Sequence, residues 1–252
     1  MGMCVGPGSN RSRMSGNSKR RLWAVASWLV LCAIPMMLPV GMRVAGAVQG
    51  SSHTQSPLPI KAGQLMPMEP GRGVYLVKEG FDRGKQVPFT LEWRGDRWLL
   101  TKEGLTWHEL KRDDQDNILI LREADLRDKH QIEYDPPVVL LPAVVDNDTS
   151  MAGKTHVTIQ NTQTGAVTHR GDCEWHLEFI GTQPLETPAG TLLSYRFHAT
   201  RRIRLTLAET TVTVDFDYAP GKGMIATGFK QVVRFMGLFS KQTTWRLEQL
   251  FT

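Results

Sequence analysis

The stretch that most constrains the fold covers residues 173–225, where apolar and polar residues alternate in three separate segments. Between Cys173 and Phe179 the odd-numbered residues are apolar and the even-numbered ones are Glu or His. A period of two places the two sets on opposite faces of a β-strand. The same alternation returns at 195–205 and 212–216. We therefore predict three consecutive antiparallel strands here and no helix.

Two short segments separate strong strand patterns, namely Thr-Pro-Ala-Gly-Thr at 187–191 and Tyr-Ala-Pro-Gly-Lys-Gly at 218–223. Pro and Gly grouped in this way are typical of tight turns. A glycine-rich phosphate site needs a helix behind it, whereas a strand pattern follows here. We interpret both segments as the turns that set the strand register.

The alternation also predicts which residues pair across the strands. A reversal at residues 207–210 places Ile203 opposite Val214, so that apolar side chains meet on one face. A reversal through residues 181–190 brings Glu174 close to His198 on the other face. We expect this second face to be a solvated network of ion pairs.

Upstream of this stretch the chain also has the pattern of antiparallel strands. Apolar residues alternate on both sides of Gly95-Asp96, a two-residue loop typical of a hairpin, and this register places Trp93 opposite Trp98. A sheet of about ten strands curls into a barrel, a half-barrel or a sandwich. We predict an all-β fold, a large curved antiparallel meander that forms a half-open or incomplete barrel.

The apolar run at residues 138–145 has no period and is flanked by Pro136-Pro137 at one side and interrupted by Pro142. Two interpretations are open, a buried crossover between two halves of the sheet or the lip of an apolar pocket. Proline cannot donate a hydrogen bond to a central strand, which favours the crossover.

The first 47 residues have the three parts of a secretory signal peptide. Basic residues at 19–21 precede an apolar run at 22–42, and Ala45-Gly46-Ala47 fits a signal peptidase site. We predict cleavage after Ala47 and export to the periplasm or the extracellular space. The alternative is that residues 22–42 stay in the membrane as an uncleaved anchor, since they are long enough to span it.

The positive charge of the chain lies in this leader. Residues 1–47 contain six basic residues and no acidic one, which leaves 24 basic against 25 acidic residues in the remainder of the chain. The net charge of +5 therefore gives no reason to expect a nucleic-acid partner. Contact with a membrane is expected only through the leader, if it is uncleaved.

The remainder of the chain divides into a polar segment and one domain. Residues 48–70 are rich in Ser, Gln, Pro and Gly, so we predict a disordered linker followed by a single β domain at 71–252. Cys173 is the single cysteine after the leader, so this domain must be stable without an internal disulfide. Asn147-Asp148-Thr149 fits a glycosylation acceptor, but the sequence does not decide whether it is used.

The sequence signals for a chemical site are weaker than the signals for the fold. Glu174, His176, Glu178 and His198 could ligate a metal, but neighbouring arginines would repel a cation, so we predict no metal site. Cys173 lies among apolar residues, which favours a buried side chain over a reactive thiolate. No catalytic motif or cofactor-binding motif is present. We expect a protein that is not an enzyme and holds no cofactor.

The Pro-rich connection at 134–142 and the turns at 187–191 and 218–223 resemble those of a loose group of exported bacterial β-proteins of unknown function. Some of that group are similar in architecture to the Lol-type lipoprotein carriers, whose curved antiparallel sheet forms an unclosed barrel around an apolar cavity. The resemblance implies a concave apolar face that can hold an acyl chain or another hydrophobic segment. No residue of a carrier's binding site can be matched in this chain.

We therefore expect an exported, non-enzymatic domain that binds an apolar ligand or an envelope component, such as a lipid or lipoprotein, on a concave face. The alternative is a structural or interaction module of a cell-envelope assembly that has no small ligand. The aromatic residues predicted to line the concave face are Trp93, Trp98, Trp175, Phe179, Phe197 and Phe216.

Overall fold

The structure is a computed structural model and describes residues 58–187 and 190–250. These residues form strands and one short helix. Their bounds are β1 Ile60–Lys61, α1 Ala62–Leu65, β2 Gly71–Glu79, β3 Gln86–Arg94, β4 Arg97–Lys102, β5 Thr106–Arg112, β6 Ile118–Asp125, β7 His130–Leu141, β8 Val144–Val145, β9 Ser150–Asn161, β10 Val167–Thr187, β11 Gly190–Leu205, β12 Ala208–Ala219, β13 Gly223–Phe235 and β14 Phe239–Leu250.

All the strands except β1 and β8 form a single closed antiparallel barrel. Each barrel strand pairs with its neighbours in the chain, and β14 pairs with β2, from Arg246 opposite Glu79 to Leu250 opposite Val74. The predicted half-open or incomplete barrel is therefore wrong, although the all-β class and the antiparallel meander are confirmed. Pairing the first barrel strand with the last satisfies the backbone groups that two open sheet edges would leave unpaired.

A small cap covers one end of the barrel. In it β1 pairs with β8, and the backbone N–H of Ala62 in α1 donates to the carbonyl oxygen of Ala143 at 2.9 Å. The carbonyl oxygen of Gln64 accepts a hydrogen bond from the N–H of Gly221, which lies in the turn between β12 and β13, at 2.8 Å. The cap therefore contacts turns at one end of the barrel.

The cap changes the predicted boundary of the domain. Residues 58–66 belong to the predicted linker, yet the cap side chains Ile60, Ala62, Leu65 and Met66 are buried in the main core. The domain therefore begins before residue 71, because apolar side chains too irregularly spaced to show a period still pack against the barrel end. Residues 48–57, the predicted signal peptide at 1–47 and the possible anchor at 22–42 lie outside the described residues.

The register agrees with the prediction in the first hairpin and differs in the later ones. Trp93 lies opposite Trp98, as predicted. Glu174 lies opposite Arg202, not near His198, and Ile203 lies opposite Thr210, not Val214. Both shifts are by an even number of residues, so each side chain stays on its predicted face. A period of two fixes the face of a residue but leaves its partner to the turn.

The apolar run after Pro136-Pro137 is part of a strand. β7 runs from His130 to Leu141, and Val138 lies opposite Ile120 of β6. The predicted crossover is therefore wrong. The two prolines fall where β7 is paired with neither β6 nor β9, so their missing N–H groups interrupt no ladder.

The two turn signatures are turns, as predicted. Gly221 and Gly223 between β12 and β13 have positive φ angles of 71° and 77°, a conformation that favours glycine. Thr187 lies opposite Gly190 at the β10–β11 turn, while Pro188 and Ala189 lie outside the described residues. Within the described part of the chain, no helix is both long and apolar enough to cross a membrane.

Candidate functional site

The structure separates the six aromatic residues that were predicted to line one concave face. Trp175, Phe179, Phe197 and Phe216 contribute to the core of the barrel, and the ring centroids of Phe179 and Phe197 are 5.2 Å apart. Trp93 and Trp98 lie next to the β3–β4 turn with ring centroids 5.3 Å apart, and Trp93 is 52% exposed. Trp98 is partly buried and packs against the same core, so among the six residues Trp93 alone lies outside it.

A small cavity, here called the seam cavity, lies beside Trp175 and Phe216 and has a volume of about 10 Å³. Such a volume holds about one water molecule. An acyl chain would not fit without a rearrangement of the core, so ligand binding by these aromatic residues stays a prediction. The full lining is Ile120, Val138, Val139, Leu140, Trp175, His176, Leu177, Ala199, Arg201 and Phe216.

β7 and β9 are not paired along the part of β7 that lines the cavity. They pair from His130 opposite Asn161 to Asp135 opposite His156, and this ladder ends at Pro136. On β9 beyond this point, a Cβ atom added to Gly153 would lie 2.7 Å from the ring of Trp175. Glycine thus allows the Trp175 ring to pack directly on the β9 backbone and fill much of the space beside the seam.

A buried ion pair crosses the interior next to this cavity. Nη1 of Arg201 on β11 donates to Oε1 of Glu123 on β6 at 2.7 Å and to the hydroxyl of Tyr134 on β7 at 2.8 Å. The Tyr134 hydroxyl in turn donates to the same Glu123 oxygen at 2.7 Å. Two strands, β9 and β10, separate β7 from β11 in the barrel wall. The three side chains therefore connect strands that are not neighbours in the wall.

Lys102 and His108 extend this group toward the end of the barrel that lies away from the cap. Lys102 is 2% exposed, and its ammonium lies 5.8 Å from the centroid of the Tyr75 ring and 6.0 Å from that of Trp245. Nε2 of His108 is 3.6 Å from Oε2 of Glu123. The Nδ1 atom of His108 is buried and has no hydrogen-bond partner within the described residues. We call Lys102, His108, Glu123, Tyr134 and Arg201 the internal charged cluster.

Burial and neighbouring charges shift the pKa values in the cluster. Burial lowers the pKa of Lys102 to about 8, although the Glu123 charge opposes this shift. Burial and the Lys102 charge lower the pKa of His108 to about 3. Burial alone would raise the pKa of Glu123, but Arg201 and its other partners bring it below the usual value. At neutral pH the cluster thus holds two cations, Lys102 and Arg201, and one carboxylate.

The predicted ion network on the outer face is present with different partners. Glu174 pairs with both terminal nitrogens of Arg204 at 3.0 and 3.1 Å, and Nδ1 of His198 lies 2.7 Å from Asp215. No group of three or more His, Cys, Asp or Glu side chains among the described residues is arranged to hold a metal ion. Cys173 is fully buried, and burial raises the pKa of its thiol to about 11, as expected for a core residue.

Five of the ten exposed large apolar side chains of the described residues lie at the end of the barrel away from the cap, while others, such as Trp93 and Ile180, lie elsewhere. All five are more than half exposed, with Phe81 at 83% and Leu238 at 76%. They lie in or beside three turns, β2–β3, β11–β12 and β13–β14, whose strands are neighbours around the barrel. We call this set the apolar rim; it consists of Phe81, Leu207, Met236, Leu238 and Phe239.

A backbone hydrogen bond joins two of these turns. The N–H of Met236 donates to the carbonyl oxygen of Leu207 at 3.0 Å, which joins the β11–β12 and β13–β14 turns. Charged side chains of both signs lie beside the rim. Lys85 pairs with Asp82, and Glu209 lies within 4.0 Å of Arg204 and Arg234.

Neither the internal charged cluster nor the apolar rim was predicted from the sequence, although a signal for the cluster is present. Arg201 occupies a position that the alternation Phe197, Ala199, Ile203 assigns to the apolar face. Lys102 likewise follows Trp98 and Leu100 with the same spacing. A cation at an apolar-face position is a usable sign of a buried charge, because such positions rarely carry Lys or Arg without a structural reason.

Comparisons with known proteins give no family for this chain. No protein-family model matches it, and no curated protein matches it. Among solved structures it is similar to the hypothetical lipoprotein YmcC from Escherichia coli, with 9% identity, a TM-score of 0.38, and coverage of 75% of this chain and 86% of the other. A Parabacteroides distasonis protein, provisionally described as a lipoprotein, has 13% identity, a TM-score of 0.34, and coverage of 74% and 98%.

Proposed function

We propose that this chain is an exported, non-enzymatic β-barrel domain that acts as an interaction module of a cell-envelope assembly and binds a protein partner through the apolar rim. The observation that carries this proposal is the position of five exposed apolar side chains on three neighbouring turns. Single exposed apolar residues are ordinary on a protein surface, whereas several gathered at one place are typical of an interaction surface.

The sequence of the leader supports the exported location. Its basic start, apolar run and Ala45-Gly46-Ala47 site fit a secretory signal. The lack of a possible disulfide partner for Cys173 after the leader is compatible with this location, because the barrel core supplies the stability that small exported domains take from disulfides.

The charges beside the rim favour a protein partner over a lipid surface. Anionic lipid attracts clusters of unpaired basic residues, whereas Lys85 at the rim pairs with Asp82, and Arg204 with Glu209. Apolar side chains surrounded by paired charges of both signs are the usual composition of a protein–protein interface.

The interior supports a role without catalysis. The ionisable groups with strongly shifted pKa values are enclosed in the barrel, with Lys102 2% and Arg201 6% exposed. A catalytic acid or base must reach its substrate. We therefore expect no catalytic role for these groups.

Site-specific crosslinking in the native envelope tests the proposal. A photoreactive phenylalanine analogue at Phe81 or Phe239 should crosslink one protein in stoichiometric amounts, and the same analogue at Trp93, at the other end of the barrel, should not. The double variant Leu238→Ser, Phe239→Ser should lose the complex while keeping the circular dichroism of the wild type. Equal crosslinking from Trp93 and Phe81, or a complex that survives in the double variant, would contradict the proposal.

The expected apolar ligand is a second candidate function, favoured by the contact of Trp175 and Phe216 with the seam cavity. It requires Trp175 to move, because the present volume holds about one water molecule. Native mass spectrometry of the protein purified from its own envelope tests it. A lipid bound at one per chain supports this candidate, and a ligand-free mass contradicts it.

A further inference from the structure

We propose that the protein partner bound at the apolar rim adds an extended segment of its own chain to β14 as a further β-strand, along residues 240–244. This inference rests on the proposed function and names the way in which the partner binds. Three observations carry it: the part of β14 that β2 leaves unpaired, the regular ladder behind that part, and the apolar side chains at both of its ends.

The closure of the barrel uses only the C-terminal part of β14. This strand pairs with β13 from Phe239 to Glu248. Its pairing with β2 begins only at Arg246, opposite Glu79, the residue at which β2 ends. The part of β14 that precedes Arg246 therefore has a neighbouring strand on one side and an open edge on the other.

The open edge carries the backbone groups of every second residue. A Cβ atom added to Gly80, which directly follows β2, would lie 2.9 Å from the carbonyl oxygen of Thr244, so this oxygen faces away from β13. Successive residues of a strand direct their backbone groups to opposite sides, so Ser240 and Gln242 present theirs on the same side as Thr244. No backbone group of the described β2–β3 turn forms a hydrogen bond with these three residues.

The edge lacks two devices that usually protect an exposed strand. The pairing of β13 with β14 has no register shift along its whole length, so no bulge twists the edge away. Residues 239–245 contain no proline. Unpaired N–H and C=O groups on such an edge can pair with a strand of another chain. Addition of a strand to an exposed sheet edge is a common mode of peptide recognition.

Apolar side chains of the rim lie at both ends of this edge. Phe81, which is 83% exposed, follows Gly80 at the Thr244 end. Leu238 and Phe239 lie at the tip of the β13–β14 hairpin. The edge between them is roughly 15 Å long. A partner segment of the same length can therefore pair with the backbone and contact an apolar side chain at each end, so we expect apolar residues near both of its own ends.

Lys241 argues against a second copy of this chain as the occupant. Two copies paired antiparallel about Gln242 would place their Lys241 side chains two positions apart on the same face of the joint sheet. Like charges at such a spacing repel each other, and lysine on an edge strand is a usual barrier to self-association. The edge therefore favours a segment of a different protein.

Proline at the centre of the edge tests strand addition. Gln242→Pro removes an N–H that points away from β13, so the barrel keeps its ladder, whereas an added strand loses a donor and meets the proline ring. We expect this variant to reduce several-fold the amount of partner crosslinked by the photoreactive analogue at Phe81, while its circular dichroism stays that of the wild type. The matched control Gln242→Ala keeps the N–H and should crosslink the partner as the wild type does.

Amide hydrogen exchange of the wild type, measured by NMR, is a second test that needs no variant. In the free chain the amides of Ser240, Gln242 and Thr244 should exchange faster than those of Lys241 and Thr243, which face β13. In the purified complex the three fast amides should become protected, because an added strand supplies their acceptors.

The outcomes separate this inference from the proposed function. A folded Gln242→Pro variant that crosslinks the partner as well as the wild type does, or edge amides that stay unprotected in the complex, would contradict strand addition. A crosslinked product of twice the mass of the chain would assign the edge to a second copy instead.

The variant Leu238→Ser, Phe239→Ser decides between the two proposals. If it keeps the complex, the proposed function fails. If it loses the complex and Gln242→Pro does not, the partner binds at the rim and only strand addition is wrong. A wild type that yields no complex contradicts both.

Discussion

The guanidinium of Arg201 lies 2.7 Å from the carboxylate of Glu123, and 78 residues of chain separate the two. Their strands, β11 and β6, are separated by β7, β9 and β10 in the barrel wall, so the pair spans the interior of the curved sheet. Tyr134 donates to the same carboxylate oxygen and accepts from the same guanidinium nitrogen. The three groups thus satisfy one another in an interior that also holds Lys102 and His108.

Breaking this pair should be costly. We expect Glu123→Gln to lower the free energy of unfolding by about 3–5 kcal/mol, because it leaves the Arg201 charge buried without a countercharge. Urea denaturation measures the change. The matched control is Glu174→Gln, which removes the partner of Arg204 on the outer face and should cost much less, because water screens a solvent-exposed ion pair. Similar losses of stability in the two variants would show that the internal ion pair contributes no more to stability than an exposed ion pair does.

Lys102 should make the stability of the barrel depend on alkaline pH. Its pKa is about 8 in the folded chain, against an ordinary value of 10.5, so between these two values the unfolded chain binds more protons than the folded one. Stability contributed by this group therefore rises as pH increases through that window.

The variant Lys102→Met isolates this effect from other groups that titrate in the same range. At pH 7 it should be more stable than the wild type, by an amount on the order of 3 kcal/mol, and the difference should shrink as pH rises from 8 to 10. Urea denaturation at a series of pH values measures the difference. A difference in stability that does not change with pH, or one that also appears in the exposed control Lys111→Met, would contradict the role of Lys102 in this pH dependence.

His108 should make the barrel sensitive to acid. Its pKa falls from 6.5 to about 3 on folding, so the unfolded chain takes up a proton first as the pH drops below 6.5. Stability is then lost progressively toward pH 3. Between pH 6.5 and 4.5 the variant His108→Gln should show a shallower loss than the wild type in chemical denaturation. Parallel curves for the two proteins would rule out a contribution from His108.

Gly153 should not tolerate a side chain. A Cβ atom at this position would lie 2.7 Å from the Trp175 ring, so Gly153→Ala should cost about 1–3 kcal/mol of stability through overpacking. The matched control is Gly71→Ala, where the nearest atom would be 3.8 Å away. Adding Trp175→Phe should recover part of the loss, since the smaller ring makes room. Equal stability of the two alanine variants would contradict the proposed packing of Trp175.

The leader should be removed on export. Cleavage after Ala47 predicts a mature protein that begins at Val48. Intact-mass measurement on protein recovered from its native source gives the N-terminus directly. An uncleaved chain that fractionates with membranes would instead support anchoring by residues 22–42.

Several features of the fold could be predicted from the residues alone because they depend on local rules. The alternation at 173–179 assigns each side chain to a face, and the Gly95-Asp96 loop fixes the Trp93–Trp98 pair through its length. The turn at 218–223 requires glycine where φ is positive. Each of these features is decided within a hairpin, where neighbouring residues set the geometry.

Other features could not be predicted, for two different reasons. The shift between β11 and β12 follows from the two-residue connection at Thr206-Leu207, which lacks a glycine and gave no turn signal. The placement of Ile60 and Leu65 in the core depends on a barrel end that exists only after the strands have assembled.

The sequence by itself determined the all-β class, the antiparallel order, the face of most side chains in the stretch at 173–225, and the turns at its ends, because a period of two and turn residues act locally. The tertiary structure alone decided that β14 meets β2 and closes the barrel, and that closure encloses Lys102, Glu123 and Arg201 together. The physical reason is that an alternating pattern determines which side chains of a strand face inward. Closure and register determine which of those inward-facing side chains meet. Residues 173–225 thus supply Arg201, whereas β4 and β6 supply Lys102 and Glu123, the charged groups that share the interior with it.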